Sequence, residues 1–181
     1  MANCCYFDLH VTCKNADGVL AILEGFGIEE TSNNENLLGG IYTANYYGKG
    51  HHNTKTDGYG NYYAYIDGDC KWSVQTAILD KGKLQELIQK YKLNVEIYSE
   101  EPGIGFMEHY RWEEGELIVD EETKFAMTHI DDIEDYPEWA ERFFDMQIVK
   151  DACITKENYE LFADSDGYIK VGGFDYDWII N

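Results

Sequence analysis

The first hundred residues alternate between strand-like and helix-like segments, and this order restricts the fold more than any other feature of the chain. Residues 5–13 read CYFDLHVTC, with the alternation of a half-buried strand, and residues 16–27 place apolar side chains at helical spacing. Two β-branched and aromatic runs follow, then a second helical pattern over residues 80–92 and the strand-like run LNVEIYSEE. The predicted order is therefore β-α-β-β-α-β.

This order predicts an α+β protein of the ferredoxin-like, split βαβ plan, in which an antiparallel sheet carries two helices on one face. The runs GGIYTANYY and YGNYYAYI are expected to form a long β-hairpin insertion over residues 40–66. A helix beginning near Pro137 follows another hairpin, and YELFADSDGYIKVGGFDYDWII is expected to form strands around an Asp-Ser-Asp-Gly turn. We expect a domain of residues 1–125 and an acidic C-terminal α/β extension, residues 126–181, packed on the same core.

Negative charge is concentrated in the second half of the chain. The formal net charge is −21, and residues 93–181 hold 24 Asp and Glu against 6 Lys and Arg, a net charge of −18. Solubility of a small domain needs a net charge of only about 2–8. A surface this acidic attracts basic partners, of which nucleic-acid-binding proteins are the natural class. The partner contacts are predicted in the most acidic window, at Asp131, Asp132, Glu134, Asp135 and Glu138.

One short stretch, YYGKGHHNTKTDGYGNYY at residues 46–63, is basic by contrast. A turn requires Gly, Asn or Asp, but it does not require two lysines and two histidines. Metal-free cleavage of RNA needs a base with a pKa near 7, an acid for the leaving oxygen and a cation for the phosphate. The candidate catalytic residues are therefore His51 and His52 as the titrating pair, with Lys49 and Lys55 as the cations.

Tyrosines flank the basic tip on both sides. Aromatic rings stack on unpaired bases, so these side chains are candidate RNA-binding residues. Tyrosine is also a good strand residue, and cross-strand aromatic pairs stabilise a hairpin by roughly 0.2–1 kcal/mol each, so a purely structural role stays open. The RNA-binding candidates are Tyr46, Tyr47, Tyr59, Tyr62 and Tyr63.

Metal and cofactor sites are not expected. A magnesium site for a nuclease is an alternative, formed by carboxylates near predicted strand ends: Asp67, Asp69, Glu100 and Glu101. However, a chain with 35 acids is expected to contain such groupings by chance. The five cysteines are odd in number and lack CxxC spacing, which favours reduced, buried thiols.

The expected location is the cytoplasm of a bacterial host cell. No run of apolar residues approaches the ~18–20 needed to span a bilayer. The first residues, MANCCYFDLHVTC, lack the basic and apolar regions of a signal peptide. We therefore expect no membrane partner.

Several motifs resemble a family of phage- and plasmid-encoded proteins with a YubB-type ferredoxin-like domain. In that family an Asn/Cys-containing first strand, a Lys-Trp pair and a Tyr-x-Glu-x-Gly-x-x-Phe run recur. MANCCYFDLHVT corresponds to the first, Lys71-Trp72 to the second, and YSEEPGIGF roughly to the third, although it has one extra residue. The resemblance covers about residues 1–125 and implies the fold and an origin in a mobile element, but no catalytic residues.

In size, acidity and mobile-element character the chain also resembles the type II-A anti-CRISPR proteins that act against Cas9. The resemblance implies an inhibitor of Cas9, which holds its guide RNA in a positively charged channel where the acidic body could dock. Together with the composition of the basic tip, this gives the leading hypothesis, in which the acidic body docks on Cas9 and the basic hairpin contacts and cleaves the guide RNA. Whether the chain is an enzyme stays open. Two alternatives remain: a non-enzymatic acidic mimic of nucleic acid that blocks a basic groove of Cas9 or of another nucleic-acid-binding host protein, and an accessory protein with an unrelated partner.

Overall fold

The structure, a computed structural model, describes residues 4–28, 41–47 and 55–174. Its strands are β1 (Cys4–Cys13), β2 (Ile41–Tyr47), β3 (Lys55–Thr56), β4 (Tyr62–Lys71), β5 (Asn94–Glu101), β6 (Phe106–Glu113), β7 (Glu116–His129) and β8 (Tyr168–Gly172). Its helices are α1 (Ala16–Gly25), α2 (Val74–Ala77), α3 (Lys83–Tyr91), α4 (Ile130–Asp135), α5 (Pro137–Asp145) and α6 (Gln147–Asp151). The described residues fall into two compact units, one containing residues up to 103 and 108–121, the other containing 104–107 and residues from 122 onward.

An antiparallel sheet is the framework of the first unit. Its strands lie in the order β2-β4-β1-β5-β6-β7, and the short β3 also pairs with β4. Strand β1 runs antiparallel to both of its neighbours, so that Asp8 lies opposite Asp67 of β4 on one side and opposite Tyr98 of β5 on the other. The mixture of helices with an antiparallel sheet confirms the predicted α+β class.

Alternation along β1 separates the two faces of this sheet. Every second residue of the strand is buried, and these residues share one hydrophobic cluster with Val19 of α1 and Leu84 of α3. The helices therefore cover one face, as the period of two in the sequence requires. The buried residues of β1 are Cys5, Phe7, Leu9, Val11 and Cys13.

A buried carboxylate, Glu108 of β6, fixes the start of helix α2. Its side chain is 2% exposed and accepts hydrogen bonds from the backbone N–H groups of Val74 and Gln75, at 2.8 and 3.1 Å. The hydroxyls of Ser99 and Tyr110 donate to the same carboxylate at 2.6 and 3.1 Å. Four donors compensate the cost of burying this charge, and two of them are N–H groups that the first turn of a helix leaves without an intrahelical acceptor.

The second unit has a core of its own. Strand β8 pairs antiparallel with the end of β7, with Phe125 opposite Gly172 and His129 opposite Tyr168. The buried side chains of this unit come from β7, β8, the helices and the loop after them, and include Phe143, Val149 and Ile169. Among the described residues no helix is long and apolar enough to cross a membrane.

Local predictions for the C-terminal part are partly wrong. The helix at Pro137 is confirmed, but it ends at Asp145, and α4 precedes it without having been predicted. Residues Tyr159–Phe162, expected as a strand, form a 3₁₀ turn. The Asn158 side chain hydrogen-bonds back to Thr155 N–H and to the Cys153 carbonyl, and these local bonds curl the chain away from a strand path.

We expect Glu108→Ala to destabilise the protein by about 3 kcal/mol or more, because the mutation removes the common acceptor of four buried or partly buried donors. Urea denaturation followed by circular dichroism measures the change in the midpoint. Glu113→Ala on the same strand is the control, since Glu113 is exposed and such substitutions change stability by only about 0.5 kcal/mol. Equal effects of the two mutations would contradict the role assigned to Glu108.

Candidate functional site

Helices α4 and α5, residues 130–145, form an acidic surface of the second unit, hereafter the acidic helices. All five acids predicted as partner contacts lie on these two helices, and every one of them is exposed. They are Asp131, Asp132, Glu134, Asp135 and Glu138. The acidic window of the sequence therefore forms a structured and solvent-accessible surface.

Local sequence signals explain how the two helices form. His129 is the N-cap of α4, and its Nδ1 accepts a hydrogen bond from the backbone N–H of Asp131 at 3.2 Å. Asp131 and Asp132 occupy the first turn, where carboxylates interact favourably with the helix dipole. Pro137 begins α5, at a position where its missing N–H group costs no hydrogen bond.

Apolar side chains on the opposite side of the acidic helices attach them to the core of the second unit. Ile133 of α4 and Ala140 and Phe143 of α5 are buried in the same cluster as Val149 and Ile169. The acids and these apolar residues alternate at helical spacing, so burial of one side directs the carboxylates to solvent.

A cavity of about 390 Å³ opens on the acidic helices, lined by Asp132, Tyr136, Glu138, Trp139 and Arg142. The side chains of Tyr136 and Trp139 are 61% and 43% exposed. The indole N–H of Trp139 donates to Thr128 Oγ1 at 3.0 Å, which fixes the ring. Aromatic faces beside carboxylates bind cationic side chains by combining cation–π attraction with ion pairing.

A second acidic surface lies on the first unit, on the side of β1, β4 and β5 that faces away from α1 and α3, hereafter the sheet face. The register of the three strands arranges nine side chains in three rows across it. The rows are Asp69–Tyr6–Glu100, Asp67–Asp8–Tyr98 and Tyr65–His10–Glu96. The sheet face thus combines five carboxylates with four rings.

Two ring pairs of the first unit are stacked nearly parallel. His10 and Tyr65 are parallel within 8° at a centroid distance of 4.3 Å, and Tyr98 stacks on His109 of β6 in the same way at 4.1 Å. Glu96 Oε1 lies 3.0 Å from His109 Nε2. A cavity of about 430 Å³ beside the rows is lined by several residues that include His10, Glu96 and Arg111.

Burial and neighbouring acids raise the pKa of Asp8, in the middle row. Burial, together with the charges of Asp67 and Glu100, raises the pKa of Asp8 to about 6. Burial also lowers the pKa of His10, against the opposing influence of Glu96 and Asp57. Asp8 is therefore ionised at neutral pH only at a cost in free energy.

Most of the predicted hairpin site cannot be placed. Lys49, His51 and His52 lie outside the described residues, and of Lys55, Tyr46 and Tyr47 only the backbone is described, in β3 and β2. Their catalytic and RNA-binding roles stay predictions.

The remaining three ring candidates do not share one surface. Tyr59 is 93% exposed in a turn, and Tyr62 packs partly buried against the core. Tyr63 lies on the sheet face, directly across from its partner Thr12 on the neighbouring strand. Asp57 stabilises that turn by accepting hydrogen bonds from Asn61 and from the Tyr59 N–H. These bonds keep the pKa of Asp57 below its usual range, and the bond from the Asn61 side chain has the largest effect. The one acid of the basic stretch thus has a structural role.

The described residues contain no group of three or more His, Cys, Asp or Glu side chains placed to hold a metal ion. The four acids considered as magnesium ligands do not lie on the same face of the sheet. Glu101 is buried on the helix side, whereas Asp67, Asp69 and Glu100 lie on the sheet face. All five cysteines are free, and Cys5, Cys13 and Cys70 are buried as predicted, whereas Cys4 is half-buried and Cys153 is exposed.

Sequence reasoning missed Tyr136 and Trp139 of the acidic helices and Asp8 of the sheet face. Tyr136 and Trp139 lie three positions apart in the most acidic window of the sequence, and this spacing is a signal that could have identified them. No sequence signal identified Asp8, because Asp67, which lies opposite it, is distant in the sequence. Comparisons with protein-family models, curated protein sequences and solved structures find no match for this chain.

We expect Asp8→Asn to stabilise the protein by about 1 kcal/mol at pH 7, after allowance for solvent screening at this half-buried position. The folded state raises the pKa of Asp8 from about 4 to about 6, so the stability supplied by its protonated form is present below pH 4 and is lost as the pH rises through 6. Thermal melts of wild type and mutant from pH 7 downward measure the difference, which should vanish below pH 4. Asp120→Asn, at an exposed position, serves as the control. A gain that is equal at both ends of the range would contradict the assignment.

Proposed function

We propose that this protein is an inhibitor of CRISPR-Cas9 encoded by a mobile element, which acts in the bacterial cytoplasm by docking its acidic helices on a basic, nucleic-acid-binding surface of Cas9. The observation that carries the proposal is the exposure of all five predicted acids on α4 and α5. A groove that holds nucleic acid is lined with Lys and Arg, and such a groove attracts a dense array of carboxylates.

The fold of the first unit agrees with the ferredoxin-like domain that the motif resemblance implies. We assign it to the ferredoxin-like plan, because β1, α1, β2, β4, α3 and β5 follow one another in the split βαβ order. The strands lie in the order β5-β1-β4-β2, each antiparallel to its neighbours, which is the arrangement this plan requires. The plan by itself does not specify an activity.

Geometry favours docking over a purely diffuse electrostatic effect. The acids of the acidic helices are held on two helices rather than on a loop, so little backbone conformational entropy is lost when they meet a partner. The cavity with Tyr136 and Trp139 lies among them and offers an anchor point for one basic side chain.

Neutralising the five acids tests the docking surface. We expect a variant with all five acids changed to amides to have an association rate constant for Cas9 at least about tenfold lower than wild type. Electrostatic attraction between charged surfaces accelerates association by about 10-fold to 1,000-fold. The five changes are Asp131→Asn, Asp132→Asn, Glu134→Gln, Asp135→Asn and Glu138→Gln. Surface plasmon resonance against Cas9 without guide RNA measures the rate constants. Raising the salt concentration should slow the wild type more than the variant.

The matched control removes five charges elsewhere. Glu24, Glu114, Glu116, Asp120 and Glu122 are all exposed and lie outside the acidic helices, so changing each to its amide should leave association within a factor of about two. If both five-charge variants bind Cas9 equally, the acidic helices are not the docking surface. If wild type does not bind Cas9 at all, Cas9 is not the partner.

Cleavage of the guide RNA by the hairpin is the enzymatic part of the proposal. A chain with so few cations binds free RNA poorly, since affinity follows the number of phosphates neutralised. We expect a denaturing gel to show shortened guide RNA only when Cas9 is present, equally in magnesium and in EDTA, and to show intact RNA with His51→Ala and His52→Ala. Cleavage of free RNA by the isolated protein would contradict this dependence on Cas9. Intact RNA in every lane would leave the non-enzymatic acidic mimic.

A further inference from the structure

Two buried cysteines of the first unit lie directly opposite each other on neighbouring strands. In the antiparallel register of β1 with β4, Cys5 is paired with Cys70, and both residues are fully buried in the hydrophobic cluster beneath the sheet. A hydrogen bond between the two thiols, followed by burial, raises the pKa of Cys70 well above its ordinary value. The two sulfur atoms are therefore neighbours inside the protein.

The position of this pair meets the geometric requirement for a disulfide bond. Residues directly opposite each other on antiparallel strands have Cα atoms about 4.5–5.5 Å apart. A disulfide bond joins Cα atoms that are about 4.4–6.8 Å apart, so the spacing of the two strands falls within the permitted range. Among the described residues, Cys5 and Cys70 are the only two cysteines that are opposite partners in a strand register.

The other three cysteines are placed differently. The thiol of Cys4 donates a hydrogen bond to Asp69 Oδ2 at 3.2 Å, and its side chain points away from that of the next residue along the strand. The thiol of Cys13, at the far end of β1, donates to the carbonyl of Tyr91 at 3.5 Å. Cys153 is exposed in the second unit. Each of these thiols therefore serves as a control for the buried pair.

Reaction of the buried pair requires the end of strand β1 to open. Cys5 is the second residue of β1, and Cys70 is the last but one of β4, so the pair lies at the end of their ladder. The register of β1 with β5 begins at Tyr6 and Glu100, one residue further along β1. Because strand ends open locally at a lower free energy than the whole fold, a small reagent can reach Cys5 without global unfolding.

We propose that Cys5 and Cys70 form a modification site, at which a small-molecule disulfide such as oxidised glutathione converts the two thiols into one cross-strand disulfide bond. The site does not depend on the function proposed above. In a reducing compartment the pair remains as two thiols, and it is oxidised when the ratio of oxidised to reduced glutathione rises.

The reaction consists of two successive thiol–disulfide exchanges. The Cys5 thiolate attacks one sulfur of oxidised glutathione, forms a mixed disulfide and releases one glutathione thiolate. The Cys70 thiolate then attacks the Cys5 sulfur, displaces the second glutathione thiolate and closes the bond. The two protons and two electrons that the cysteines lose are taken up by oxidised glutathione, which leaves as two molecules of the thiol.

Mass spectrometry of a tryptic digest tests the site on the full chain. Trypsin places Cys4, Cys5 and Cys13 on one peptide, residues 1–14, and Cys70 alone on another, residues 56–71. The folded protein is incubated with oxidised glutathione, its remaining thiols are blocked with N-ethylmaleimide, and the digest is analysed without reductant. We expect these two peptides to be linked, in a product lighter by two hydrogen atoms than the two reduced peptides together.

Matched variants identify the cysteine within the first peptide. The linkage should be retained in Cys4→Ser, in Cys13→Ser and in Cys153→Ser, and it should be lost in Cys5→Ser. Cys5→Ala is a second variant without the buried hydroxyl, and circular dichroism confirms that each variant is folded. In urea all three cysteines of the peptide can reach Cys70, so unfolded Cys5→Ser should still form the linkage.

Thermal melting provides a second readout. A bond between Cys5 and Cys70 closes a long loop and restricts the unfolded chain. In the Cys153→Ser background, where the exposed thiol does not contribute, we expect the oxidised protein to melt at least about 5 °C higher than the reduced protein. The same treatment of Cys5→Ala in this background should leave the melting temperature unchanged.

The proposal is overturned if the folded protein yields no linked peptides, if the linkage in the folded protein persists in Cys5→Ser, or if the oxidised protein melts no higher than the reduced protein.

Discussion

The alternation of side chains along β1 is the constraint on which the first unit depends. Strand β1 lies between β4 and β5, and its period of two assigns every residue either to the core or to the sheet face. A shift of one residue in register would bury Asp8 and His10 and expose Phe7 and Leu9. Packing of the apolar set against α1 and α3 therefore also fixes the position of the charged set. In this protein the hydrophobic core determines where the acids are.

Glu108 has the complementary role of joining elements through hydrogen bonds inside the hydrophobic core. Helix α2 has only four residues and is too short to be stable by its own hydrogen bonds. The buried carboxylate accepts from its first N–H groups and from Ser99 and Tyr110, so one side chain ties α2 to β5 and β6. The fold thus accommodates one buried acid with a full set of donors, in contrast to Asp8, which lies opposite the acid Asp67.

The sequence predicted those features that depend on local pattern. Strand β1, helices α1 and α3 and the antiparallel pairing of β2 with β4 follow from periodicity and turn residues, and the exposure of the acids from Asp131 to Glu138 agrees with their charge. Helix α4 was missed because its cap is a histidine, which is not a usual N-cap signal. The pairing of Asp8 with Asp67 could not be predicted, since it requires the register of strands separated by more than fifty residues. Local propensity contains no information about such a register.

The two acidic surfaces differ in what they imply about binding. On the acidic helices, carboxylates are well solvated and tolerate one another, so their attraction for a partner is long in range and weakened by salt. On the sheet face the carboxylates are partly buried, and burial together with the charges of Asp67 and Glu100 raises the pKa of Asp8. A carboxylate in such surroundings is ionised only at a cost in free energy, whereas the acids of the acidic helices are ionised in contact with water. The acidic helices are therefore the surface better suited to attracting a basic partner from a distance.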